Sequence, residues 1–310
     1  MEISKHIGEG FGKGELYGIL VALNNGLGVL PVSGETYYVS KEGNGTTGLS
    51  WDNAFTTIAS AITASRAYTA VTANQYRRNR IYVDGGTYAE TLTVFPNNCD
   101  VVGVGQTGST VGRPPTIQGT QSITTPNYGC RWYNMVFSNN VAANPIVKTM
   151  NGCLGIEFHK CVFTNGATSS TIGLQLGLTV DPKVIGCKFN GNPPSTIGIQ
   201  IDGTHACDGE IIGNQISATT TGISIAKGAT SDYGLLIKDN IIFRADPNSA
   251  DQMAVGIDNL EDQGRTHIVM VHNWISAVDG IAFGGAVING MTIDNHLIEG
   301  TTGVVEFLAS

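Results

Sequence analysis

Charge is scarce in this chain of 310 residues: only 14% are Asp, Glu, Lys or Arg. Aromatic residues are few as well, at 7%. Basic residues are outnumbered, 17 to 25, for a formal net charge of -8. That balance argues against nucleic acid or an anionic membrane as the main partner. The short basic cluster Arg77, Arg78 and Arg80 reads as a solvated loop. The six cysteines include no Cys-x-x-Cys pair, so neither a zinc ribbon nor a dithiol redox centre is expected, and no metal or cofactor is implied. They read as small buried thiols. No apolar run is long enough to span a bilayer. The first apolar stretch, "YGILVAL", lies among Lys5, Glu9, Lys13 and Glu15, which is unlike a secretory signal, so folding in a cytoplasm is expected.

What the chain has instead is glycine, 41 residues of it, and repetition. A small residue recurs at Cys161, Cys187, Asn214, Asn240, Asn273 and Asn295, at intervals of 26, 27, 26, 33 and 22 residues. Two positions beyond each lies an apolar residue: Phe163, Phe189, Ile216, Ile242, Ile275 and Leu297. The residue between has no fixed character, which is the period-2 alternation of a strand. A second phrase begins at Gly173, Gly198, Gly222, Gly256, Gly280 and Gly303, each followed by an aliphatic residue. Such a glycine marks a clash or a positive φ. A period near 25 residues with two or three short strands and no helical pattern predicts an all-β parallel β-helix. Equivalent residues of successive coils then stack as ladders about 4.8 Å apart. The longer interval carries "RADPNSADQ" and "DNLEDQGRTH", which are expected to bulge out as loops.

Three regions are expected. Residues 1–35 form a glycine-rich arm with a short amphipathic helix, whose Leu16, Ile19, Leu20 and Leu23 share one face and are the candidate partner-binding residues. Residues 36–98 open the column and cap it, with a helix over about 52–66 that starts at Ser50 or Asp52 and buries Phe55, Ile58 and Ile62. Residues 99–310 form the coils.

The segment "YYVSKEGNGTTGLSWDNAFTTIASAI" followed by "IYVDGGTYAETLTV" resembles the opening of right-handed parallel β-helix proteins of the pectin-lyase-like superfamily. The resemblance is close over Tyr37 to about Gly105 and implies a helix that covers the first coil. It also implies a search for polysaccharide chemistry. The polygalacturonase signatures (Asn-Thr-Asp, paired Asp, Gly-His-Gly, Arg-x-Lys) are absent, and "RPPTIQ" at Arg113 does not match the Arg-x-Pro-x-x-Arg of pectate lyases.

In the coil register, Asp239, His272 and Asp294 each precede a ladder position and are expected to stack on one outer face, beside Trp274 and His296. Carboxylates flanking a histidine are candidates for acid–base chemistry, and Trp274 with His296 for a glycan platform. A charge-balanced outer ladder is the plainer account of the same residues. The acidic stretch "DGTHACDGE" lacks the spacing of a calcium loop and reads as solvated turns.

Two functions remain open. The first is a non-enzymatic structural protein on the exterior of a bacteriophage virion: a capsid decoration protein, head fibre or tail spike. It would be a homotrimer that docks on capsid or tail proteins through the arm. The alternative is a carbohydrate-active enzyme (polysaccharide lyase or hydrolase) or a glycan-binding adhesin on the same fold.

Overall fold

The computed structural model describes residues 33–104, 114–139, 141, 144–150, 152–166, 170–177, 179–191, 194–201, 208–225, 233–244, 253–259, 266–283 and 289–297. The arm residues Leu16, Ile19, Leu20 and Leu23, most of the two long insertions and Cys207 lie outside this set.

The chain winds into a column of parallel strands. Among the described residues sheet A has ten strands in chain order: Ser33–Val39, Arg78–Asp84, Cys99–Val104, Cys130–Tyr133, Glu157–His159, Lys183–Ile185, Gly209–Ile212, Tyr233–Lys238, Thr266–Val271 and Asn289–Ile293. Ser33–Val39 is followed by the helix, and each later one, across a corner, by a strand of sheet B, such as Val162–Asn165 or Lys188–Gly191. Sheet C, which includes Ile172–Leu176 and Ser195–Ile201, completes the coil. The eleven-residue strand Gln215–Ile225 serves both B and C, so the two join. The first strand begins at Ser33, slightly earlier than the sequence boundary of the column.

Inside the column each sheet contributes a ladder of apolar side chains. In sheet B, Phe137, Phe163, Phe189, Ile216, Ile242 and Ile275 are in register and buried. The rings of Phe163 and Phe189 stack at 4.6 Å, only 3° from parallel. Leu297 continues the register opposite Ile275. Five of the six residues predicted as one stack are thus buried in it, and the sixth pairs in line.

The second repeat phrase is explained by space. A Cβ on Gly222 would lie 2.6 Å from the carbonyl oxygen of Gly256 and collide with a methyl of Ile242. Gly198 and Gly256 stand in the same relation to Ile216 and Ile275. The glycines are needed because the isoleucine ladder of sheet B packs directly on their backbone.

The helix differs from expectation. Helix α1 spans Ile58–Ala70, not 52–66. Ser50 instead accepts from Asn53 in a turn, and Phe55 bridges to Val39. The N-cap is Thr57, whose hydroxyl accepts from the Ser60 amide. Glu90, from the strand edge above, accepts from the amides of Ile58 and Ala59 at 2.8 Å each. A carboxylate there satisfies two orphan donors and complements the positive helix end. Ile58, Ala61 and Ile62 are buried over the first coils, as a cap requires. Arg78 is not in a solvated loop either. It opens a strand and donates to the Asp100 carboxylate at 2.9 Å and to the Gly129 carbonyl.

Five cysteines are free and buried. Burial pushes the Cys99 thiol up to about 12 from its usual 9.0, and raises Cys130 and Cys187 well above theirs. Burial, then the Glu35 carboxylate, lifts Tyr37 to about 12 from 10.0. Each group keeps its proton in the folded state where the unfolded chain releases it. Their contribution is therefore intact below the unfolded pKa and lost as pH rises toward the folded one. Stability is expected to fall from about pH 9 upward, by about 1.4 kcal/mol per pH unit for each fully buried thiol. Urea midpoints measured from neutral to alkaline pH check this; a flat profile contradicts it.

Candidate functional site

The corner between sheets A and B fixes the predicted site residues. From the coil of Asn134 onward the chain turns there through one residue with positive φ: Asn134 (56°), Lys160 (52°), Gly186 (62°), Gly213 (65°), Asp239 (55°), His272 (52°) and Asp294 (47°). Gly, Asn and Asp tolerate that conformation best, which accounts for most of this row. Immediately after the corner the chain points inward. There Asn214, Asn240, Asn273 and Asn295 form a ladder, each Nδ2 donating to the Oδ1 of the next at 2.8–2.9 Å. Cys161 and Cys187 occupy the first rungs.

The turn therefore throws Asp239, His272 and Asp294 outward in one line. His272 Nδ1 lies 3.5 Å from Asp239 Oδ1, and its Nε2 lies 3.7 Å from Asp294 Oδ2. Lys238 Nζ is 3.6 Å from the other Asp239 oxygen. One step along the strands, Trp274 is half exposed and pairs in register with His296. Their ring centroids are 5.0 Å apart with planes tilted by 42°. All five residues come together on one surface. The row lies on an outer corner with His272 half exposed, which leaves the imidazole in water.

The N-terminal end of the same corner carries a cleft of about 510 Å³ lined by Ser40, Lys41, Asp84, Gly86, Pro114 and Thr116. Asp84 accepts from the Ser40 hydroxyl at 3.2 Å and the Gly85 amide at 2.8 Å, and Lys41 Nζ sits 4.5 Å over the Tyr88 ring.

Sequence reasoning missed a further surface, the outer face of sheet A. Two rows run along it. One alternates in charge without a break: Arg80, Asp100, Arg131, Glu157, Lys183, Glu210. Within it Arg131 donates to Glu157 at 3.1 Å and Lys183 to Glu210 at 3.0 Å. The parallel row is aromatic: Tyr38 and Tyr82 with centroids 5.9 Å apart, then Val102, then Tyr133 stacked on His159 at 4.8 Å. Trp51 abuts Tyr38 edge-on at 4.8 Å. Glu157 also holds His159, its Oε2 lying 2.7 Å from Nε2. Toward the C-terminal end the first row turns apolar at Leu236 and Val269, and the second runs Ile185, Ile212, Lys238, Val271, so one lysine interrupts its partly exposed aliphatic residues. No local motif announces these rows, because their members lie in different coils.

No family model matches the sequence, and no curated protein matches it. Solved structures do resemble the fold. A rhamnogalacturonan lyase superposes with a TM-score of 0.51 at 11% identity, over 79% of this chain and 69% of that one. The pectin methylesterase of Aspergillus niger superposes with a TM-score of 0.51 at 15% identity, over 91% of each chain. The chain is a right-handed parallel β-helix of the pectin-lyase-like fold. At these identities the likeness concerns the fold alone.

Proposed function

We propose that this chain is a carbohydrate-binding β-helix protein whose saccharide surface is the Trp274–His296 platform beside the Asp239–His272–Asp294 row. The observation that carries the reading is the half-exposed Trp274 next to three outward polar side chains held at fixed coil spacing. An indole face binds the C–H face of a sugar, and carboxylates accept from its hydroxyls. One coil rise is close to the length of one sugar residue in an extended glycan, so Trp274 and His296 suit adjacent residues of a chain laid along the column. The fold neighbours, a lyase and an esterase named for pectic polysaccharides, support a carbohydrate ligand over the other classes considered. Screening the protein on immobilised glycans is expected to give binders, and Trp274→Ala to weaken them about tenfold. Binding untouched by that substitution, or no binder at all, sinks the reading.

A second reading is a structural protein on the exterior of a bacteriophage particle, a homotrimer anchored to capsid or tail proteins by the arm bearing Leu16, Ile19, Leu20 and Leu23. It is favoured by the partly exposed aliphatic residues Ile185, Ile212, Leu236, Val269 and Val271 on the outer face of sheet A, which suit side-by-side packing of columns although Lys238 stands among them. It is compatible with glycan binding. Sedimentation is expected to give an oligomer that Leu236→Glu dissociates; a monomeric wild-type protein counts against it.

A further inference from the structure

The aromatic row on sheet A has one missing rung. Tyr38 and Tyr82 form a ring pair, Tyr133 and His159 form another, and Val102 stands between them in register with both tyrosines. A valine side chain is shorter than a tyrosine, so the row dips at the partly exposed Val102 and leaves a notch between Tyr82 and Tyr133 with the valine as its floor. Its width follows from the sheet. Tyr82 and Tyr133 are two strand spacings apart, about 9.6 Å. A flat ring in van der Waals contact with both faces needs only about 7–8 Å. A puckered ring with C–H bonds on both faces is thicker and takes up the difference.

The edge of the notch is polar. Asp100 and Arg131 occupy the neighbouring row one step along the same strands as Val102 and Tyr133. Arg78 holds Asp100 from one side and Glu157 holds Arg131 from the other, so both groups are fixed in place. The Tyr133 hydroxyl is raised above its ordinary value by burial and next by the Asp100 carboxylate, with Arg131 opposing, so all three share one neighbourhood. A carboxylate and a guanidinium side by side give an acceptor and donors without net charge, which matches vicinal hydroxyls and selects against strongly charged sugars.

We propose that this notch, walled by Tyr82 and Tyr133, floored by Val102 and edged by Asp100 and Arg131, binds a single neutral pyranose ring. The site lies on a different face from Trp274 and does not depend on it. A column with two such surfaces holds a glycan, or two glycans, at separate points, with the gain in retention that bivalency brings.

The test uses the full chain with ring-labelled tyrosine, observed by NMR. It is titrated with methyl β-D-glucopyranoside, methyl β-D-galactopyranoside and N-acetylglucosamine, and with benzyl alcohol as a flat-ring comparator. At least one pyranoside is expected to shift the Tyr82 and Tyr133 resonances. Val102→Tyr completes the aromatic row and is expected to abolish those shifts, while Trp274→Ala leaves them. Tyr133→Leu, which keeps the notch open but removes one wall, is expected to weaken the same pyranoside about tenfold; it decides the matter should Val102→Tyr lower the melting temperature. The proposal is overturned if no pyranoside moves either ring, if only benzyl alcohol does, if the shifts survive in a folded Val102→Tyr protein, or if Tyr133→Leu leaves the affinity unchanged. The Trp274 platform is tested by the immobilised-glycan screen and the notch by the tyrosine rings, so failure of one and failure of the other show separately.

Discussion

Ile216→Asp is expected to abolish the cooperative melting transition of the column. Ile216 is fully buried, in register between Phe189 and Ile242, and packed on the backbone of Gly198. A carboxylate there loses the apolar burial of the isoleucine and gains a desolvated charge with no partner in the stack. Either the charge is buried at a cost of several kcal/mol, or the coil opens to hydrate it. Against a total stability of about 5–15 kcal/mol, neither leaves an intact column at physiological temperature. Ile216→Val, which removes one methylene from the same place, is expected to cost about 1 kcal/mol and keep the fold. Thermal melts followed by circular dichroism separate the two. An Ile216→Asp protein that melts within a few degrees of wild type would mean that the side chain does not face the core.

The second large effect is expected at Asn240. Its Nδ2 donates to the Ile211 carbonyl and to Asn273 Oδ1, both at 2.9 Å. Its Oδ1 accepts from the backbone amide and from the side-chain amide of Asn214, also at 2.9 Å. Leucine has similar bulk and none of these bonds. Asn240→Leu strands the Asn214 amide and the Ile211 carbonyl in the interior, at about 1–3 kcal/mol each. The column itself indicates a milder replacement. Cys187 Sγ lies 3.3 Å from the Phe158 carbonyl, which is the donor half of the asparagine's work two rungs away. Asn240→Cys is therefore expected to fall between wild type and Asn240→Leu. Equal urea midpoints for the leucine and wild-type proteins would show that the ladder is dispensable.

The inner face of the column was legible in the sequence and the outer face was only half so. Phe163, Phe189, Ile216, Ile242 and Ile275 could be aligned because a closed interior admits little but apolar bulk at that point in every coil. Asp239, His272 and Asp294 were found by counting one residue back from the asparagines, a fixed offset from a fixed landmark. Of the aromatic row, only His159 stands at a fixed offset from a landmark, two residues before Cys161, while Tyr38, Tyr82 and Tyr133 lie ahead of the aligned repeat. They are separated by irregular loops, and only strand register makes them neighbours. The helix start was misplaced for a related reason. Ser50 and Asp52 look like caps locally, but the stronger anion at that terminus is Glu90, which is 32 residues from Ile58 in the chain. Nothing adjacent in sequence reports it.

Among the described residues, the ten strands of sheet A lie side by side in chain order, each paired with the one before and the one after. During synthesis, the helix and the first coils are therefore complete while the later ones are still inside the ribosome. Each new coil then meets a finished edge of unpaired amides and carbonyls to template it. The nascent protein grows like a stack of plates, and it never needs to bring together segments that are far apart in time.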